Sequence, residues 1–299
     1  MAGTAFRKFA LVLAALGLLP AGGAIAQDGY AAPGQISLQT SQTPIMDSIV
    51  AFNDGILLPI IVAISVFVAL LLVIVILRFN RRANPVPSKF THNTFIEVVW
   101  TVLPIIILVV IAVPSFGVLA DQMTIPDGER KYLGSNLFSY GEVEIPAPGL
   151  TVKVTGSQWY WEYEYPDTGL VIVSSMLADA QRLEQKPAQP RLLAVDNELV
   201  VPVETTVRVQ VTAADVIHAF AMPSFGVRID AVPGRLNETW FYARKTGIFY
   251  GQCSELCGKD HAFMPIAVRV VTQDEFSTWQ AAFENGDLQS ANLTLAAVN

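Results

Sequence analysis

Thr151–Tyr165 reads TVKVTGSQWYWEYEY. Over most of this stretch β-branched or aromatic residues alternate with polar ones, the period-two pattern of strands buried on one face. The pattern recurs downstream in LVIV (170–173), VRVQVT (207–212), ETWFYA (238–243), GIFYGQ (247–252) and IAVRVV (266–271). Proline, glycine, asparagine and aspartate separate these runs. With TVKVTG and QWYWEYEY counted separately, about seven short strands at this spacing predict a β-sandwich. DEFSTWQAAFEN, residues 274–285, reads as a short closing helix. The small and weakly polar residues 286–299 read as a flexible tail.

Upstream the composition changes. The chain is 52% hydrophobic and only 15% charged, with a mean hydropathy of +0.44, whereas soluble domains run nearer a quarter charged. Two long apolar runs, 56–79 and 98–119, account for this. At 1.5 Å rise per residue the shorter spans about 33 Å, enough for a hydrocarbon core of ~30 Å. Pro104 and Pro114 fall inside the second run, where a membrane helix tolerates them. A buried core helix is the alternative for each run, and length and low charge argue against it.

The N-terminus reads as a secretory signal over residues 1–26. Arg7 and Lys8 precede the apolar stretch Phe9–Leu19, and Ala24-Ile25-Ala26 is a small-residue cleavage site. Segment 27–55 then lies outside the cell membrane. The loop 80–97 carries Arg81, Arg82 and Lys89, with Arg78 just before it, which places it in the cytoplasm. Both flanks, including residues 120–285, then face the periplasm. The expected architecture is an N-terminal transmembrane α-helical hairpin plus an all-β sandwich.

Net charge is −7, and from Ala120 onward 22 acidic residues face 13 basic ones. This balance argues against a nucleic-acid partner and permits a basic protein one.

Both cysteines, one of the three histidines and one of the six methionines lie in GQCSELCGKDHAFMP, 251–265. In an oxidising compartment a Cys253–Cys257 disulfide is a serious alternative. It would close a tight ring, gain little from so short a loop, and leave His261 and Met264 unexplained. Thiolate, imidazole and thioether together favour copper over zinc. A second histidine, His218, follows the strand VRVQVT, whereas His92 lies in the cytoplasmic loop.

With QWYWEYEYP, ADVIHAF, DAVPGRLNETW and YGQCSELCGKDHAFMP in place, the chain resembles subunit II of the aa3-type haem–copper oxidases over nearly everything after the signal. The resemblance implies a cupredoxin domain holding two copper ions in a binuclear Cu-A centre. Cys253 and Cys257 would bridge the metals and His218 and His261 would each terminate one. Met264 and the Glu255 carbonyl would be weak axial ligands. The Glu255 side chain would bind magnesium or manganese shared with subunit I. Trp159 would be the electron entry point. Glu164, Asp196 and Asp215 would help dock a basic cytochrome c.

Glu97 suits the positive end of a helix. By resemblance it marks the cytoplasmic mouth of a proton path into subunit I. Implied partners are subunits I and III, cytochrome c and membrane lipid, at the bacterial inner membrane. The implied activity is electron entry for oxygen reduction coupled to proton pumping.

Three other assignments compete. A thioredoxin-type copper assembly factor also carries C-x3-C, but calls for one anchor and an α/β pattern. A quinol oxidase subunit of the same fold typically lacks the copper ligands. A nitrous oxide reductase needs a large extra domain. No C-x-x-C-H for a fused c-type haem occurs.

Overall fold

The computed structural model describes residues 29–129, 131–132, 143–286 and 288–296. The expected signal peptide lies outside the described residues. Helix α1, Pro44–Phe52, continues through a π-helical turn, Asn53–Leu57, into α2, Leu58–Arg78. Helix α3 runs Thr94–Met123. Both helical runs are long and apolar enough to cross a membrane, and nearly all their side chains face outward. They extend beyond the apolar runs because polar caps and amphipathic turns continue each helix past its lipid-compatible part. Pro114 is buried, whereas Pro104 is not.

The outer ends of these helices are fastened to the following domain. Thr43 caps α1, accepting from the Met46 N–H at 3.1 Å and donating to the Phe225 carbonyl at 2.6 Å. At the C-terminal end of α3, carbonyls of the last turn accept from that domain. The Asp121 carbonyl takes Trp240 Nε1–H at 2.8 Å and the Gln122 carbonyl takes the Thr239 hydroxyl at 3.0 Å. Ile45, Ile145 and Trp240 form a small apolar cluster at this junction.

A short pair, β1 (Lys131–Tyr132) and β2 (Val143–Glu144), precedes the sandwich. One sheet contains β3 (Leu150–Ser157), β4 (Tyr160–Tyr165), β5 (Leu170–Ser174), β7 (Thr206–Ala213) and β10 (Asn237–Tyr242), in the order β10-β7-β3-β4-β5. The other contains β6 (Leu199–Pro202), β8 (His218–Met222), β9 (Val227–Ala231), β11 (Gly247–Cys253) and β12 (Pro265–Val271), in the order β6-β12-β11-β8-β9. Among the described strands only β3–β7 and β6–β12 pair in parallel. Along β4, Trp161, Tyr163 and Tyr165 are buried and Tyr160, Glu162 and Glu164 are not, as the alternation predicts. Tyr165 spans both sheets, its hydroxyl donating to the Val200 carbonyl at 2.8 Å and accepting from the Val200 N–H at 3.1 Å.

Strands β6, β8 and β9 are additions to the sequence-based set; each is short and buried on both faces or interrupted by polar residues. Trp159 is not on a strand with Trp161, as alternation suggested. It lies in the two-residue turn between β3 and β4. The closing helix is α5, Gln273–Glu284, after a short helix α4, Asp179–Gln185. The expectation of a flexible tail is corrected: Leu288–Ala296 form a helix, α6, with Ala291 and Leu295 buried in the main core. Leu288, Ala291 and Leu295 recur at helical spacing. Asn292 Nδ2 donates to Asn197 Oδ1 at 3.2 Å.

The long connection between β5 and β6 is pinned by a buried carboxylate. Glu198 accepts from Lys186 Nζ at 2.7 Å, Gln189 Nε2 at 2.8 Å and Arg269 Nε at 3.4 Å. Burial alone would raise its pKa, but Lys186 and Arg269 hold it below the ordinary carboxylate value. A depressed folded pKa gives stability that is present above the unfolded value and lost as pH falls through the folded one. Glu198→Gln should therefore cost about 3 kcal/mol at neutral pH by taking the buried carboxylate away from the largely covered Lys186 and Arg269. In denaturant unfolding the difference from wild type should shrink in acid; a constant difference across pH would contradict the ionic account.

Candidate metal centre

Cys253 is the last residue of β11 and lies opposite Phe220 of β8. Residues opposite each other in a ladder share a face, as do residues two apart along a strand. His218 therefore points the same way as Phe220 and Cys253, toward the sandwich interior, although it is 35 residues from Cys253. The other end of the metal-loop segment is closed by the Cys253 N–H, which donates to the Met264 carbonyl at 3.0 Å. Met264 itself is buried in the cluster that includes both cysteines.

The soft donors converge. Cys253 Sγ lies 3.7 Å from Cys257 Sγ, 3.8 Å from His218 Nδ1 and 3.3 Å from the Glu255 carbonyl oxygen. Cys257 Sγ lies 3.6 Å from His261 Nδ1. The cysteines are free thiols, both buried, so the disulfide alternative is not adopted. His218, Cys253 and Cys257 place their ligand atoms within 4.8 Å of one another. Two sulfurs side by side, each flanked by an imidazole, suit a pair of soft or borderline transition metals bridged by thiolate.

Charge supports the same use. Burial raises the Cys253 thiol, but hydrogen bonding with His218 and nearby backbone outweighs it and the pKa falls to about 6. Cys257, buried and facing the Cys253 sulfur, is pushed up to about 12. A metal bound by both sulfurs must displace the protons they hold.

Asp215 sits beneath His218. Its Oδ1 is 2.9 Å from His218 Nε2 and accepts from the Val216 N–H at 2.6 Å; its Oδ2 accepts from the Gln158 N–H at 2.7 Å. An ionised carboxylate can only accept, so Nε2 carries a proton, and Nδ1 is the ring nitrogen that faces the Cys253 sulfur. Burial opposes ionisation of Asp215, but His218 and the two backbone donors hold its pKa below the ordinary value. Asp215 is thus engaged in orienting His218 and is not a freely mobile surface charge.

The remaining sequence-derived residues spread over the molecule. Trp159 is half-buried beside the loop, with Lys259 Nζ 5.4 Å above its ring. The Glu255 side chain is turned away from the sulfurs, 44% exposed and 3.5 Å from Arg228. Glu164 pairs with Lys153 at 2.7 Å. Asp196 Oδ1 accepts from the Ser175 and Asn197 N–H groups, each at 2.7 Å. Glu97 lies in the first turn of α3, about 39 Å along that helix from its domain end at 1.5 Å per residue.

Sequence reasoning missed Gln158, Gly156 and Gly258. The Gln158 side chain donates to the Cys257 carbonyl at 2.8 Å across 99 residues. A Cβ on Gly156 would come within 3.0 Å of the His218 ring and of Trp161. Glycine next to a strand turn signals close backbone approach, but it does not say what approaches.

Residues 31–118 match the family model described as cytochrome c oxidase subunit II, transmembrane domain, and residues 150–271 match that of its periplasmic domain. The probable cytochrome c oxidase subunit 2 of Rickettsia bellii is 48% identical over 265 residues, covering 89% of this chain and 90% of the relative. Cytochrome c oxidase subunit 2 of Cereibacter sphaeroides is 41% identical, covering 93% and 92%. The solved periplasmic domain of subunit II of cytochrome oxidase from Bradyrhizobium japonicum is 62% identical, covering 47% of this chain and 98% of that one, at a TM-score of 0.43.

The Asp215–His218 contact has a measurable consequence. Asp215→Ala should weaken metal retention about tenfold or more, the usual effect of losing such an orienting partner. Competition with a chelator measures this directly; unchanged retention would show that His218 is oriented without Asp215.

Proposed function

Since the chain belongs to the cytochrome c oxidase subunit II family, we propose that it is the electron-entry subunit, accepting electrons from cytochrome c at a binuclear Cu-A site and delivering them to haem in subunit I. It is a membrane-anchored subunit of a haem–copper terminal oxidase, with a periplasmic domain. The observation that carries the proposal is the pair of free thiols 3.7 Å apart, flanked by His218 and His261.

The donor set fits copper. Cys253 and Cys257 would bridge two ions, His218 and His261 would each hold one, and Met264 and the Glu255 carbonyl would complete the set. When bound, the copper pair supplies a one-electron couple shared across two thiolates. The chain's own part is rigidity. β8 and β11 fix His218 and Cys253 by strand register, and the Cys253–Met264 backbone bond closes the loop. Trp161 and Phe220 are fully buried beside the site, with Trp161 packed edge-on against His218. Ligands that cannot move favour fast electron transfer, because little reorganisation accompanies a change of charge.

Trp159 is the proposed entry point; its half-buried position against the loop supports that role. Glu164, Asp196 and Asp215 belong to the proposed docking surface for a basic cytochrome c. Their local partners argue for action through the summed acidic field, which raises the on-rate. The exposed Glu255 carboxylate is the proposed side-chain ligand for magnesium or manganese shared with subunit I. Glu97 is proposed at the cytoplasmic mouth of a proton path. Oxygen reduction and proton pumping would belong to subunit I, with subunit III as a further partner. The proposed location is the bacterial inner membrane, with the N-terminus and the sandwich in the periplasm.

Copper-loaded protein should be purple, with thiolate-to-copper bands in the visible. A colourless protein after copper addition under mild reduction would defeat the proposal. Trp159→Phe should slow reduction by cytochrome c at least tenfold while leaving those bands unchanged, since outer groups of a metal site typically act on that scale. Stopped-flow reduction and the absorption spectrum together test this, and an altered spectrum would instead make Trp159 a support of the site.

A further inference from the structure

We infer that Gln158 is a positioning residue that clamps the Trp159 turn to both arms of the donor set, an inference that rests on the copper proposal above. The turn joining β3 to β4 belongs to one sheet, while His218, Cys253 and Cys257 belong to strands and loops of the other. Gln158 crosses between them twice. Its backbone N–H donates to Asp215 Oδ2 at 2.7 Å, and Asp215 Oδ1 holds His218 Nε2 at 2.9 Å. Its side-chain amide donates to the Cys257 carbonyl at 2.8 Å. One residue therefore restrains an imidazole through a carboxylate and a cysteine through its peptide plane.

A two-residue turn requires neither contact. Turn geometry is satisfied by backbone, and a side chain held there only by the turn would extend into solvent. Gln158 is exposed, yet its amide turns in to a carbonyl of the metal loop. Fixing that carbonyl fixes the plane of the Cys257–Gly258 peptide, and with it the direction from which the Cys257 side chain leaves the chain.

The space for this contact comes from Gly258. A Cβ there would stand 3.0 Å from Gln158 Nε2 and 3.1 Å from Trp159 Cζ2, and Gly258 has a φ of +124° that side-chain-bearing residues rarely adopt. Gln158 and Trp159 rest together on this bare stretch of loop, with Lys259 over the indole. Trp159 Nε1 is buried with no hydrogen-bond partner among the described residues, so the indole makes no polar anchor of its own. Its position follows from its chain neighbour Gln158 and from ring contacts. The amide of Gln158 thereby sets both the geometry at Cys257 and the seat of the entry tryptophan.

Two substitutions in the assembled oxidase test this. Gln158→Met keeps the length and removes the donor. Gln158→Glu keeps the shape and sets an acceptor against the Cys257 carbonyl, while the backbone bond to Asp215 remains in both. Each should shift the visible thiolate-to-copper bands and the copper hyperfine pattern in electron paramagnetic resonance. Each should also slow reduction by cytochrome c about tenfold with KM unchanged. Spectra identical to wild type in both variants would overturn the inference, including the case in which KM alone rises and Gln158 is a surface contact for the donor. If Gln158→Met does not assemble, the near-isosteric Gln158→Glu decides. A wild-type oxidase without the copper bands would remove the copper proposal and this inference together; wild-type bands with unaltered variants would remove this inference alone.

Discussion

Everything at the metal centre depends on two buried thiols being held 3.7 Å apart without joining. Burial works against ionising them, and the compartment proposed for this domain favours oxidising them. The protein answers with hydrogen bonding. His218 and local backbone lower the pKa of Cys253, while burial and the neighbouring sulfur raise that of Cys257. The sandwich supplies the walls that make the arrangement rigid, since β8, β11 and β12 are paired on both sides by other strands.

That rigidity extends beyond the ligands by short, directional contacts. Asp215 orients His218, Gln158 reaches both Asp215 and the Cys257 carbonyl, and the Cys253 N–H ties to the Met264 carbonyl. These bonds run between the two sheets and between loops at one end of the sandwich. A metal site built this way is restrained from several directions, so removing one contact tilts a ligand without unfolding the domain. The ion-pair network around Glu198 is different in kind. It ties a long connection to β12 and bears on stability.

The helices bear on placement. Thr43, Thr239 and Trp240 bond the outer ends of α1 and α3 to the sandwich. Polar groups at the helix ends are thereby used as fasteners. The domain is oriented on its anchors by these bonds and by the Ile45–Ile145–Trp240 cluster, a requirement for any subunit that must present a metal site to a membrane-embedded partner.

The sequence by itself determined the two membrane-length runs, the alternating strands and the donor types at Cys253, Cys257, His261 and Met264. Each of these is a local pattern: uninterrupted apolar length, period two, or close spacing in one loop. Tertiary structure alone decided what lies between distant segments. Strand register brings His218 to Cys253 over 35 residues, and hydrogen bonds join Gln158 to Asp215 over 57 and to Cys257 over 99. It also decided that Trp159 sits in a turn, because alternation does not mark where a hairpin bends. The tail became a helix for a similar reason. Its weak apolar stripe has value only once Trp279 and the main core are there to cover it, and a pattern that faint gains meaning only from the surface it packs against.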